Sequence, residues 1–276
     1  MDRIRLIASD MDATLLDEQS QLPADFEETI HALAELGIRF APASGRPLYT
    51  LEAMFPTLQD ELVFIGDNGG AIRWKGQNLF TSEMSPEGWR ALNRLTRKQG
   101  DIAVLCGLES AYVERPFAVH DAVLRHFYTK IEYVDRLEDV TAPADKFTIY
   151  LPQHNAQQAY DTVYASQRSI YSVAVAGECW VDIMNPGVHK GAALQTLGQL
   201  WGLPSESIMA FGDTYNDAEM LQTVRYGFLM ENGSEPLRQK VPFLAPSHRE
   251  AGVMQVLHRV LAQNGCVCPE DFIPAH

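Results

Sequence analysis

Short apolar segments alternate with helix-patterned segments in both halves of the chain, and this alternation limits the folds that it can adopt. Each apolar segment is followed by polar residues, which is typical of a buried strand that runs into a loop. The predicted strands are residues 4–8, 38–43, 62–65 and 207–211, and the predicted helices are residues 23–37, 189–201 and 217–223. Strands and helices in this order favour an α/β fold, with a Rossmann-like parallel-sheet core and helices on both faces.

The middle of the chain follows a different pattern and predicts an inserted α+β module. Helical patterns alternate there with strand-like segments, and proline- or glycine-containing turns flank the region at Ser85-Pro86 and at Asn185-Pro186-Gly187. The predicted helices are residues 86–99, 116–128 and 154–167, and the predicted strands are residues 102–106, 146–151, 170–175 and 180–184. We therefore expect a core formed by residues 1–82 and 185–276, with residues 83–184 as an inserted cap domain.

Charge and composition narrow the function classes. The 276 residues include 22 Lys and Arg against 36 Asp and Glu, which gives a formal net charge of −14. A surface this acidic argues against nucleic acid or an anionic membrane as the main partner. An anionic substrate would need a local positive site, and a bound divalent cation would provide one.

The sequence shows no sign of export or of membrane insertion. No stretch of about 18 consecutive apolar residues is present, and the first residues lack the pattern of a signal peptide. Cys106 and Cys179 are isolated, whereas Cys266 and Cys268 form a lone CxC pair near the end. We expect four reduced thiols in a cytoplasmic protein, with no role for the CxC pair.

The loop after the first predicted strand contains the sequence Asp10-Met11-Asp12-Ala13-Thr14. Side chains alternate in direction along a strand, so two carboxylates two residues apart can point the same way. Such a pair is suited to a nucleophile or metal ligand beside a general acid/base. Asp-x-Asp is also common on solvated loops, and it indicates chemistry only with support from elsewhere in the chain.

Other strand ends and one helix start provide that support. Ser44 follows the second strand, Lys190 lies at a predicted helix start, and Asp213, Asn216 and Asp217 follow the strand at 207–211. Each of these features alone has an ordinary interpretation as a turn, a solvated charge or a helix cap. Together they predict a site, because ligands of open parallel sheets bind at the carboxyl ends of the strands.

The order and setting of these motifs resemble the haloacid dehalogenase superfamily of phosphotransferases, and more closely its Cof-type branch. The superfamily motifs match DxDxT at residues 10–14, the strand-end Ser44, the helix-start Lys190 and GDxxND at residues 212–217. The branch resemblance rests on Ala43-Ser44-Gly45-Arg46-Pro47, Asp67-Asn68-Gly69-Gly70, Lys190-Gly191-Ala192-Ala193-Leu194, Gly212-Asp213 through Met220-Leu221 and Met230-Glu231-Asn232-Gly233. It covers both predicted core segments, and residues 83–184 fall where that branch places its cap.

The resemblance implies a Mg²⁺-dependent phosphatase. Asp10 would attack phosphorus and form an aspartyl-phosphate, while Asp12 would act as general acid and then as general base. Asp10, the backbone carbonyl of Asp12, and Asp213 would hold Mg²⁺, with Asp217 supporting the ion directly or through water.

The remaining motif residues are expected to bind the substrate. By resemblance, Ser44, Lys190 and Asn216 would bind the phosphoryl oxygens of a small phosphorylated metabolite. The cap would act as a lid, and substrate choice would depend on cap loops and on Asn68. Sugar phosphates, pyridoxal phosphate and flavin mononucleotide are all compatible with this branch, and the oligomeric state is open.

One departure from the family pattern leaves alternatives open. The family usually has Gly where this chain has Ala13, and Gly permits backbone angles that Ala tolerates poorly. We expect an altered rate or substrate preference, not a loss of activity. The alternatives are a sugar phosphomutase, which would return the phosphoryl group to a sugar, and a metabolite-binding regulator with weak turnover.

Overall fold

The computed structural model describes residues 1–276 and contains a nine-stranded sheet, a six-stranded sheet and one short strand pair. The helices are α1 (Phe26–Glu35), α2 (Leu48–Ala53), α3 (Pro86–Gln99), α4 (Asp121–Phe127), α5 (Ala156–Asp161), α6 (Lys190–Trp201), α7 (Ala218–Thr223) and α8 (Gly252–Ala262). None of these helices is both long enough and apolar enough to cross a membrane.

The nine-stranded sheet is built from the two ends of the sequence. Its strands are β2 (Leu6–Asp10), β3 (Arg39–Ala43), β4 (Val63–Gly66), β5 (Ala71–Trp74), β6 (Gln77–Thr81), β13 (Ile208–Gly212), β14 (Tyr226–Met230), β15 (Phe243–Ala245) and β17 (Ile273–Pro274). They lie in the order β17-β15-β14-β13-β2-β3-β4-β5-β6. The six strands from β15 to β4 pair in parallel, and the edges are antiparallel.

The position of β2 in this sheet decides where a ligand can bind. From β2 the chain continues through β3 and β4 in one direction, whereas the neighbour on the other side is β13, from late in the sequence. This reversal of strand order is a topological switch point, where the loops at the carboxyl ends diverge and leave a crevice. The loops after β2 and β13 are therefore adjacent.

Both faces of the nine-stranded sheet are covered, which explains why β2 is buried along its whole length. Ile7 packs in one hydrophobic cluster with residues of α1 and α8, such as Ile30 and Leu257. Leu6 and Ala8 point the other way and pack with residues of α6 and α7. The predicted Rossmann-like core with helices on both faces is confirmed.

The six-stranded sheet lies entirely within the middle of the chain. Its strands are β7 (Ile102–Gly107), β8 (Ala111–Glu114), β9 (Ile131–Val134), β10 (Ala144–Tyr150), β11 (Ser172–Ala176) and β12 (Trp180–Met184), in the order β11-β12-β10-β7-β8-β9. All neighbours are antiparallel except β8 and β9. The remaining strands, β1 (Asp2–Arg3) and β16 (Cys266–Val267), pair only with each other.

Two predicted helices of the middle region are shorter than expected. Residues 116–128 divide into a 3₁₀ segment, Arg115–His120, and α4. Residues 154–167 divide into α5 and a second 3₁₀ segment, Ala165–Ser169. The Thr162 hydroxyl donates to the Gln158 carbonyl at 2.7 Å, a local bond that competes with helical pairing where α5 ends.

Candidate active site

The predicted site residues converge at the switch point of the nine-stranded sheet. Asp10 is the last residue of β2, and its register partner on β3 is Ala43, the residue before Ser44. Asp213 directly follows β13, which pairs with β2 on the other side. Parallel register thus brings three separate segments to one edge of the sheet, as the sequence predicts.

Lys190 ties two of these carboxylates together. It is the first residue of α6 and is fully buried. Its Nζ donates to Asp10 Oδ1 at 2.5 Å and to Asp217 Oδ1 at 2.6 Å. Burial lowers the pKa of Lys190, but the two carboxylates raise it more, so the pKa lies above its ordinary value and the ammonium is charged.

Asp217 is committed to contacts within the protein. One of its carboxylate oxygens accepts from Lys190, and the other accepts from the backbone N–H groups of Asp213 and Thr214 at 3.1 and 3.2 Å. The bond from Thr214 is one half of a capping box, in which the Thr214 side chain accepts from the Asp217 backbone in return, and this fixes the loop after β13. These contacts place Asp217 where it holds the Lys190 side chain and the backbone at Asp213.

Asp10, Asp213 and Asp217 form a buried acidic cluster whose ligand oxygens lie within 4.8 Å of one another. Burial and the charge of Asp217 raise the pKa of Asp10 to about 8 and that of Asp213 to about 6. Lys190 pairs with two of these three carboxylates, so the cluster carries excess negative charge when all three are ionised. Carboxylate oxygens are ligands that Mg²⁺ prefers, and a divalent cation would offset this repulsion. The donor set therefore fits the expected ion.

Asp12 and Ala13 occupy the turn that follows β2. Ala13 has φ 57° and ψ 14°, in the left-handed region that favours glycine. Its carbonyl accepts from Asn232 Nδ2 at 2.9 Å, which helps to hold the turn. Ala13 therefore adopts the type of backbone conformation for which Gly is suited, and the departure from the family pattern coincides with local backbone strain.

The Asp12 carboxylate extends into solvent and binds Arg46. Its side chain is 61% exposed, and its two oxygens lie 2.8 and 2.9 Å from the guanidinium nitrogens of Arg46. The Nη2 group of Arg46 donates a hydrogen bond to Asp12 Oδ1, and the closeness of Nη1 to Oδ2 adds to the ion pair. Arg46, which belongs to the Ala43–Pro47 motif of the sequence, is thus a further functional candidate.

The expected phosphate-binding residues differ in accessibility. Ser44 is buried, and its Oγ accepts the backbone N–H of Arg46 at 3.1 Å, which leaves the hydroxyl hydrogen free to donate. Asn216 is exposed and accepts from the Thr214 hydroxyl at 2.5 Å. Lys190 is fully buried beneath the carboxylates, and two of its three N–H groups are engaged by Asp10 and Asp217.

A cavity of about 810 Å³ opens above this cluster and is bounded by both sheets. Asp10, Asp12, Ser44, Asp213 and Asn216 line it, whereas Lys190 and Asp217 are buried beneath. The opposite wall comes from the middle of the chain, chiefly from the β11–β12 hairpin. Asn68 also lines the cavity, as expected, and its Nδ2 donates to Asp182 Oδ2 at 3.2 Å.

Sequence reasoning missed Lys146, Thr148 and Asp182, which also line the cavity. A signal was present, since Lys146 and Thr148 are alternate polar residues in a strand whose other residues are mostly apolar. Alternation places both on one face of β10, and Asp182 of β12 is the direct register partner of Thr148. A buried charge in a central strand indicates a partner or a ligand.

Comparison with known proteins identifies the family. The haloacid dehalogenase-like hydrolase model matches residues 7–257. The chain is 31% identical to 5-amino-6-(5-phospho-D-ribitylamino)uracil phosphatase YbjI of Escherichia coli over 262 residues, which cover 94% of this chain and 96% of the relative. It is also 31% identical to the HMP-PP phosphatase of Cronobacter sakazakii over 249 residues, or 87% of this chain and 89% of the relative.

A solved structure supports the same assignment. The crystal structure of SMU.1108c from Streptococcus mutans superposes with a TM-score of 0.84 at 28% identity, and the match covers 94% of this chain and 99% of that one. The resemblance inferred from the motifs is thus confirmed over nearly the whole length. The chain belongs to the haloacid dehalogenase-like hydrolase family.

Proposed function

We propose that this chain is a Mg²⁺-dependent phosphomonoesterase that hydrolyses small phosphorylated metabolites through an aspartyl-phosphate on Asp10. The observation that carries the proposal is the Asp10–Lys190–Asp217 arrangement at the switch point, with Asp213 beside it. Relatives that match nearly full length are named phosphatases, which supports this reaction class.

Asp10 has the geometry of a nucleophile. Its Oδ1 is occupied by Lys190, while no hydrogen bond within the chain engages Oδ2. We expect Oδ2 to attack phosphorus in line, forming the Oδ2–P bond as the ester P–O bond breaks. Lys190 orients the carboxylate and reduces its repulsion of an anionic phosphate.

Asp12 is the proposed proton carrier. Its carboxyl group would give a proton to the departing ester oxygen and then take one from the water that attacks the aspartyl-phosphate. That second attack breaks the Oδ2–P bond and returns Asp10 to its starting state. The exposure of Asp12 at the cavity suits this role, and Arg46 must release it when substrate enters.

Mg²⁺ would be held by Asp10 and Asp213, with the backbone carbonyl of Asp12 as a further ligand and Asp217 in support. When bound, the ion would neutralise charge on the phosphoryl oxygens. Ser44, Lys190 and Asn216 would donate hydrogen bonds to those same oxygens.

We also propose that residues 83–184 form a cap over a core made of residues 1–82 and 185–276. The strands of the six-stranded sheet lie within residues 102–184, and those of the nine-stranded sheet lie outside them. The cavity between the two sheets supports a lid that excludes water during reaction.

The test is phosphate release from a panel that includes sugar phosphates, pyridoxal phosphate and flavin mononucleotide, with Mg²⁺ or with EDTA. The wild type should release phosphate only with Mg²⁺, and Asp10→Asn should lose at least about 10⁴-fold in turnover. Asp60→Asn is the matched control, because Asp60 is exposed and its substitution removes the same negative charge. Isomerisation primed by a bisphosphate, without phosphate release, would instead establish a phosphomutase.

A further inference from the structure

A second group of buried polar residues lies on the cavity wall opposite the acidic cluster. Lys146, Thr148 and Asp182 occupy the face of the six-stranded sheet that is opposite Phe147 and Ile149. All three are buried and line the cavity. Polar groups in such positions are normally hydrogen-bonded, so any donor or acceptor that they leave free beside the cavity is available to a ligand.

Lys146 has one N–H to spare. Its Nζ donates to the Gly45 carbonyl at 2.6 Å and pairs with Asp67 Oδ1 at 3.0 Å. The third neighbour, Asp182 Oδ2, is 3.7 Å away, too far for a hydrogen bond. An ammonium has three donors, so one is left for a ligand.

Asp182 has acceptor capacity to spare. Its Oδ1 accepts from the Thr148 hydroxyl at 2.7 Å, and its Oδ2 accepts from Asn68 Nδ2 at 3.2 Å. A carboxylate can accept about four hydrogen bonds, so lone pairs remain on both oxygens. A free donor and a free acceptor therefore stand side by side on the wall of the cavity.

The chemistry of this pair favours one kind of ligand group. A hydroxyl both donates and accepts, so it can bridge Lys146 and Asp182 without adding charge. A carboxylate or a second phosphate would be repelled by Asp182, and Asp67 already offsets the positive charge of Lys146. An ammonium group would in turn be repelled by Lys146.

We propose that Asp182 and Lys146 determine specificity by binding a hydroxyl of the leaving group, and so select hydroxyl-bearing phosphate esters over esters with a second anionic group. This inference rests on the proposed phosphatase function. It identifies the part of the cavity wall that would contact the substrate beyond its phosphate group. The apolar segment Ala174–Val175–Ala176 lines the same cavity and provides contact for the carbon chain.

The test compares kcat/KM for three esters: D-ribitol 5-phosphate, 4-nitrophenyl phosphate and 2-phosphoglycolate. Asp182→Asn should lower the ratio of the ribitol ester to the nitrophenyl ester by about 10–100-fold. The same variant should raise the ratio of phosphoglycolate to the nitrophenyl ester, because the repelling charge is gone. Structural damage alone would lower turnover of all three esters and would not move the two ratios in opposite directions.

Glu132→Gln is the matched control, since Glu132 is an exposed acid on β9 of the same sheet and does not line the cavity. It should leave both ratios at their wild-type values. Unchanged ratios in Asp182→Asn would overturn the specificity assignment while the phosphatase function stands. Absence of Mg²⁺-dependent turnover of all esters by the wild type would instead contradict the proposed function.

A comparison of two substrates with the wild-type protein tests the same proposal without requiring that Asp182→Asn folds. Ribitol 5-phosphate and n-pentyl phosphate have the same number of carbons, but the second has no hydroxyl groups. The account predicts that kcat/KM is about 10–100-fold higher for the ribitol ester. Equal values would contradict the proposal whatever the fate of Asp182→Asn.

Discussion

Lys190 and Lys146 are both buried, and each lies between two aspartates. Lys190 belongs to the acidic cluster at the edge of the nine-stranded sheet, whereas Lys146 lies on the six-stranded sheet. Lys190 contacts Asp10 and Asp217 at 2.5 and 2.6 Å. Lys146 contacts Asp67 at 3.0 Å and reaches only to 3.7 Å from Asp182. Both are at most 2% exposed.

The difference between the two lysines shows how similar residues are suited to different tasks. The bonds of Lys190 fix the orientation of the proposed nucleophile, and a reacting group must be held in one geometry. The looser arrangement of Lys146 leaves a donor and an acceptor unfilled beside the cavity, which suits the binding of a ligand hydroxyl. Two short ion pairs beneath the cavity thus accompany the proposed chemistry, whereas a longer ion pair on the cavity wall accompanies the proposed recognition.

Removing Lys190 should have the largest effect, because it is expected to reduce activity and stability together. Lys190→Met leaves the Asp10 and Asp217 carboxylates without a cation, and we expect Mg²⁺-dependent phosphate release to fall by about 10²–10³-fold. Steady-state assays with 4-nitrophenyl phosphate measure this loss. Lys98→Met, on the exposed side of α3, is the control and should retain wild-type rates.

Removing Lys146 should mainly affect stability. Lys146→Met leaves Asp67 and Asp182 buried without their cation, which costs about 3–5 kcal/mol in the free energy of unfolding. Urea denaturation measures the change, and adding Asp67→Asn should recover part of it. A loss of nitrophenyl phosphate turnover as great as that of Lys190→Met would contradict the division between the two lysines.

The pH dependence of Mg²⁺ binding sharpens the contrast, because it involves only the acidic cluster around Lys190. The pKa of Asp10 is raised to about 8 and that of Asp213 to about 6, whereas an aspartate in the unfolded chain has the ordinary pKa of 3.8. The metal-free folded protein therefore binds these protons more tightly than the unfolded chain does. That stability is present at low pH and is lost as pH rises from 3.8 through about 6 and about 8.

Mg²⁺ competes with those protons, so its stabilising effect should grow over the same range. We expect the increase in Tm caused by Mg²⁺ to be larger at about pH 8 than at about pH 5. Thermal unfolding with Mg²⁺ and with EDTA measures the difference, and Ca²⁺-free buffers with matched ionic strength are the control. An equal increase at both values would argue against a metal site at Asp10 and Asp213.

The smallest expected effect concerns Ala13. Ala13→Gly should raise the free energy of unfolding by about 0.5–1 kcal/mol, because glycine adopts the left-handed conformation without strain. Ala32→Gly in the middle of α1 is the matched control and should lower it by about 1 kcal/mol. A loss of stability in Ala13→Gly would show that the methyl group contributes packing that outweighs the strain.

The sequence predicted those parts of the site that depend on strand ends. Asp10, Ser44 and Asp213 each follow an apolar strand, and parallel register brings such positions together whatever the details of packing. Ser44 and Asn68 were also expected near the substrate, and both line the cavity. The roles given to these residues remain predictions.

The remaining cavity residues could not be predicted, because they depend on which face of the six-stranded sheet lies opposite the nine-stranded sheet. Tertiary packing decides that arrangement. Lys146 and Asp182 lie on strands that the sequence predicts, but alternation along a strand does not tell which face meets the core. The adjacency of β2 and β13 joins residues just over 200 positions apart in the sequence, as Ala8 and Ala210 show. The β5–β6 hairpin was missed because its outer strand is exposed and lacks an apolar run.

The proposed mechanism requires that Asp10 accepts the phosphoryl group. Its most direct test is to quench the wild type and Asp10→Asn rapidly during turnover of a good substrate with Mg²⁺, and to reduce both with borohydride, which converts an aspartyl-phosphate to homoserine. Peptide mass spectrometry should then find homoserine at position 10 in the wild type and nowhere in the variant. Turnover without homoserine at position 10, or with homoserine at another aspartate, would contradict the account.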